Sequence, residues 1–90
     1  MAYFVISFDL KHARLRNYQN FYQALRSFDG VEIREFVYIV DSRLSSSRLF
    51  SEIHRWLHED DALFIAEFAK RPSWTKTLPG TKAWIDARFP

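Results

Sequence analysis

The chain has no cysteine, only two glycines and three prolines in 90 residues. Without cysteine there is neither a disulfide nor a thiolate metal ligand, and nothing supports an exported, disulfide-stapled class. Charge of one sign is also lacking: 13 basic residues stand against 11 acidic ones, for a net charge of +2. Composition alone therefore does not demand a nucleic-acid partner. No stretch approaches the roughly 18 apolar residues of a membrane span, so no membrane association is expected. The N-terminus has no basic segment and no small-residue cleavage site. It reads as a strand rather than a signal peptide, and a cytoplasmic protein is the simplest expectation. Nucleotide-binding glycine motifs and a nucleophile elbow are missing, which leaves ATP-dependent, dinucleotide-dependent and serine-hydrolase chemistries unsupported.

What the chain does have is apolar and aromatic material: 48% hydrophobic residues and 18% aromatic ones. A chain of this length makes a single domain, residues 1–90, and buries only about 60–65% of its unfolded surface. Residues 2–10 read as a strand with apolar side chains on both faces: Tyr3 and Val5 on one, Phe4, Ile6, Phe8 and Leu10 on the other. A basic loop follows over 11–16. Asn17 then caps a helix running to about Phe28, with Tyr18, Phe21, Tyr22, Leu25 and Phe28 on one stripe. Gly30 suits a left-handed helix cap. Residues 31–41 carry strand character broken near Arg34-Glu35-Phe36, which predicts two short strands joined by a tight turn. Ser45 to Ser47 precede a second helix, about 46–58, with Leu49, Phe50, Ile53, Trp56 and Leu57 as its stripe. Residues 62–68 form the last main strand, and the tail 69–90 holds a loop and then a short helix or strand near 81–88.

The order β-α-β-β-α-β is the α+β ferredoxin-like pattern, with core 2–68 and a C-terminal extension. Its two helices cover one face of a four-stranded antiparallel sheet. Strand four, like strand one, is apolar on both sides: Leu63 and Ile65 point one way, Phe64, Ala66 and Phe68 the other. The second face needs a cover. A symmetric homodimer supplies one; the tail, pinned by Trp74 and Trp84, supplies another.

The opening strand ending Ser7-Phe8-Asp9-Leu10, the basic loop, and Asn17-Tyr18 followed by Phe21-Tyr22-Gln23-Ala24-Leu25 resemble the CRISPR-associated Cas-two-like family. They are most similar to its SinR-family subgroup, with virulence-associated protein D, a toxin ribonuclease, as a more distant relative. The resemblance spans most of residues 2–68. It implies a ferredoxin-like homodimer in which an aspartate at the end of strand one, here Asp9, pairs with its copy across a two-fold axis to hold a divalent metal. It also implies RNA or DNA as a partner, either as a nuclease substrate or bound along a basic surface. The family's polar-x-Ser-Val-Phe segment is matched by Arg34-Glu35-Phe36-Val37-Tyr38. Phe36 there replaces a serine that lies near the family's metal site, a departure that counts against nuclease chemistry.

Asp9 is the sharpest candidate residue. A carboxylate suits Mg²⁺ or Mn²⁺, and a metal there would polarise a phosphodiester. The plainer alternative is a turn-forming aspartate paired with Lys11 or Arg14. His12 is a candidate general base, because its ordinary pKa lies near neutrality, or simply an exposed loop residue. Lys11, Arg14 and Arg16 are candidate phosphate contacts or a solvated loop. His54 and His58, four apart, would share a face of helix two, without a third ligand. Lys70, Arg71 and Lys76 around Trp74 would suit single strands, although packing is the commoner role of such a tryptophan. Two functions follow: a metal-dependent endoribonuclease-type enzyme using Asp9 and His12, or a non-catalytic dimeric module that binds nucleic acid or a protein partner.

Overall fold

A computed structural model of the chain describes residues 2–12 and 17–90. The elements are β1 (Ala2–Asp9), α1 (Gln19–Arg26), β2 (Asp29–Arg34), β3 (Val37–Ser42), α2 (Ser46–His54), β4 (Ala62–Phe68) and α3 (Thr81–Arg88). The strands form one antiparallel sheet in the order β2-β3-β1-β4. This is the α+β, ferredoxin-like arrangement with a C-terminal helix added.

Alternation along β1 sorts the side chains into two cores. Phe4, Ile6 and Phe8 face α1 and α2, and join Phe21, Leu25, Val40, Leu49 and Ile53 in the main core. Leu63 and Ile65 of β4 flank it, while Phe68 lies on the opposite face. Asn17 does not cap α1: the N-cap is Tyr18, with no side-chain cap hydrogen bond, and Asn17 just before it accepts from the Gln19 amide at 2.8 Å in a local turn. Ser45 caps α2 by accepting from the Arg48 amide at 3.3 Å.

Two further local expectations are corrected. Gly30 does not cap α1; it lies within β2, and a Cβ there would stand 2.5 Å from the Ile39 carbonyl oxygen and 2.6 Å from Val40 Cγ1. Close approach of two strands, not a left-handed turn, requires this glycine. Second, α2 ends at His54, four residues early, and Trp56 is exposed instead of continuing the apolar stripe. The expected tight turn is present at Glu35-Phe36, and it needs no glycine because Phe36 itself adopts the left-handed backbone, φ 65°.

Of the two covers expected for the second sheet face, the tail is the one present. The chain's own tail covers most of it. Ile39 packs against Trp84 and Ile85 of α3, with Tyr3, Val5, Val31, Ile33, Phe68, Trp74 and Phe89 around them. The requirement that led to a partner copy is thus largely met within one chain. Polar contacts fix the tail in place. Arg88 Nη2 donates to Asp29 Oδ2, and its guanidinium lies 3.9 Å from the Trp84 ring centre. Arg88 Nε stands 3.5 Å from Asp41 Oδ2, whose side chain is only 8% exposed. Trp84 Nε1 donates to Asp29 Oδ1 at 3.3 Å. Arg71 donates to Phe89 O and to Asp86, and lies over Trp74. Arg71 and Trp74 are therefore packing residues of the tail. No helix among the described residues is long and apolar enough to cross a membrane.

Removing the Arg88 side chain leaves Asp41 nearly buried with no cation. Arg88→Ala should cost about 3 kcal/mol, measured by urea unfolding. A loss below 1 kcal/mol would show that the pair does not hold α3 on the sheet.

Candidate functional site

The loop after β1 and the loop before β4 meet at one end of the sheet, because Asp9 is paired with Ala62 in the β1–β4 ladder. Asp61 fastens the two loops. Its Oδ1 accepts from the Lys11 amide and from the Tyr18 hydroxyl, both at 2.9 Å, and its Oδ2 accepts from the His58 amide at 2.8 Å. Partial burial pushes the Asp61 pKa up, but the amides of His58 and Lys11 and the Tyr18 hydroxyl outweigh it, so the carboxyl lies below its ordinary value.

Beside this clasp, His12 Nε2 lies 3.0 Å from Asp60 Oδ2. The His12 ring meets the His58 ring edge-on at 5.8 Å, and His58 in turn lies 5.6 Å from the Tyr18 ring. Asp9 takes a separate partner: Lys11 Nζ is 3.2 Å from its Oδ2, and the Asp9 side chain is 63% exposed. Among the described contacts, Asp9 and His12 are not joined. Arg14 and Arg16 lie outside the described residues. His54 stacks on Phe50 at 5.0 Å while His58 lies beyond the end of α2, so the two histidines do not share a helical face. No group of three or more carboxylate or imidazole ligands is arranged for a metal among the described residues.

Asp9 also borders the uncovered part of the second sheet face. The register places Ser7, Val37, Phe64 and Ala62 on its side of the sheet. Phe64 is 64% exposed there, the most exposed large apolar residue among the described residues.

Sequence reasoning singles out Asp9, Lys11 and His12 and assigns nothing to Asp60 and Asp61, whose contacts gather here. Nothing in the local sequence distinguishes a solvated acidic turn from one whose oxygens collect amides fifty residues away. Searches against protein-family models and against curated proteins return no match.

The Asp61 clasp makes a pH prediction. A carboxylate with a depressed folded-state pKa stabilises above its unfolded-state value and loses that contribution as pH falls through the folded value. Acid should therefore loosen the loop pair, and Asp61→Asn should flatten this part of the acid unfolding curve. An unchanged curve in the variant would show that Asp61 contributes nothing to it.

Proposed function

We propose that the chain acts as a homodimeric, nucleic-acid-associated protein of the Cas-two-like kind, its copies meeting through the uncovered end of the second sheet face. One observation carries the proposal: Phe64 stands 64% exposed on a face whose other end is occupied by the chain's own tail. An aromatic ring on a flat sheet surface gains by being apposed to its own copy, because a two-fold axis removes both rings from water. Such an axis near Phe64 carries Ser7, Val37 and Asp9 with it. The interface is smaller than one spanning the whole face, and its affinity rests on few residues.

Two Asp9 carboxylates near one axis would supply hard oxygen donors of the kind Mg²⁺ or Mn²⁺ takes, completed by water. The donor type fits; one copy alone supplies a single carboxylate, already neutralised by Lys11. When bound, the metal would polarise a phosphodiester. Lys11 would then pass from Asp9 to a phosphate; Arg14 and Arg16, which follow it in sequence, are the further phosphate contacts of this reading.

The Asp9–Lys11 pair, together with Phe36 in place of the family's serine, favours a second form of this proposal. In it the dimer binds RNA or DNA in the cytoplasm without cutting, or engages a protein partner. His12 then serves the Asp60 contact rather than proton transfer.

Sedimentation equilibrium tests the dimer: the native chain should sediment as a dimer and Phe64→Asp as a folded monomer. A monomeric native chain would defeat the proposal. Cleavage of RNA or DNA with Mn²⁺, abolished by Asp9→Asn, would establish the enzyme. Salt-sensitive binding without cleavage would establish the binding module. If neither nucleic acid binds at low salt, a protein partner takes their place.

A further inference from the structure

An open groove of about 560 Å³ runs between α1 and the β2–β3 turn, with Asn17, Gln19, Tyr22, Gln23, Arg26 and Phe36 on its walls. It lies within the roughly 300–1,000 Å³ range of small-ligand sites. We propose that this groove holds an unpaired nucleobase of a single-stranded nucleic acid. Its biological role rests on the nucleic-acid reading above, but the groove does not include Asp9.

Two aromatic rings and three carboxamides carry the inference. Phe36 adopts a left-handed backbone conformation, φ 65°, yet its ring is 40% exposed instead of being buried in return. The turn between β2 and β3 sets this backbone, uncommon for a bulky residue, and leaves the ring on the wall of the groove. Phe36 and Tyr22 both stand edge-on to Phe8, with ring centres 5.6 Å and 6.0 Å from it, so one buried ring orients both walls. Gln19 and Gln23 lie one turn apart on the exposed side of α1, and neither side chain has a hydrogen-bond partner among the described residues. Asn17 is held through its carbonyl oxygen by the Gln19 amide, which leaves its amino group directed elsewhere. Side-chain amides of this type hydrogen-bond the edges of bases, and aromatic rings stack on their faces.

Charge selects the base over the phosphate. Arg26 lies 5.1 Å from the Tyr22 ring centre and provides one cation. Burial, then Tyr38 and Glu32, raise the pKa of the Tyr22 hydroxyl against the opposing pull of Arg26, with Glu35 adding to the rise. The hydroxyl stays protonated at neutral pH, and the two glutamates disfavour an anion beside it. A neutral ring fits the groove, with its phosphates directed outwards to solvent and Arg26.

The test uses the intact chain, two uncharged nucleosides (adenosine and cytidine), and a short single-stranded oligonucleotide with and without abasic positions. Amide chemical shifts should move at Gln19, Tyr22, Gln23 and Phe36 on nucleoside addition. Affinity for the oligonucleotide should fall about tenfold when the bases are removed, consistent with the loss of one stacked base. Phe36→Asn should reproduce that loss without unfolding the chain, because asparagine tolerates a left-handed backbone. Gln23→Ala, on an exposed helical position, should weaken binding in the same direction. If nucleosides move these amides but the oligonucleotide does not bind, the groove stands and the nucleic-acid function falls. If the oligonucleotide binds equally well with abasic positions and to Phe36→Asn, the function stands and the groove assignment is overturned. Nucleoside shifts absent, or confined to other residues, also overturn it.

Discussion

The sheet of this protein is apolar on both sides, and the structure is arranged around covering the side that α1 and α2 cannot reach. Val5, Ile39 and Phe68 project away from those helices. The tail crosses over them and returns as α3, placing Trp84 and Ile85 on Ile39. A helix of eight residues has little stability of its own in water. Its order depends on this burial and on the Arg88 contacts to Asp29 and Asp41. The tail is thus the third layer of the domain, with the sheet between two unequal helical covers. Its packing leaves a mostly apolar cavity of about 250 Å³ among Val5, Ile33, Ile39, Trp74 and Ile85.

This cover also determines where surface chemistry is left. Because α3 occupies one end of the second face, Phe64 and Asp9 are exposed at the other. That end adjoins the two loops tied by Asp61, where Lys11, His12 and Asp60 are gathered. On the opposite side of the sheet, the left-handed turn at Phe36 holds an aromatic ring over the groove beside α1. The charged Asp9 edge and the aromatic groove are separate surfaces set up by the same β1 strand. Its odd residues lead to Asp9, and its even residues end in Phe8, on which Tyr22 and Phe36 rest.

The order of strands and helices was legible because their periodicities are clean: Phe21 and Leu25 on α1, Leu49 and Ile53 on α2, and alternating Leu63 to Phe68 on β4. The two-faced character of β1 and β4 was equally visible. What covers the second face was not. Trp84 and Ile85 mark a helix that must bury something, but sequence spacing does not say whether its own sheet or another copy receives it. Gly30 was misplaced for a related reason: a glycine needed for strand approach and one needed for a helix cap look alike next to Asp29. At the candidate site, Asp9, Lys11 and His12 stand out by residue type and by the resemblance, whereas the clasp at Asp61 and the groove at Phe36 depend on contacts between distant segments. Phe36 did leave a trace, as the residue where the resembling family has a serine.

Each chain covers its own sheet with its own tail and leaves the Phe64 end free. Isotope-filtered NOE spectroscopy on an equal mixture of labelled and unlabelled chains tests it directly. Contacts from Ile85 and Trp84 to Ile39 should arise only within a chain, and any contacts between chains should involve Phe64 and its neighbours. Contacts between chains from Ile85 or Trp84 to Ile39 would contradict the account.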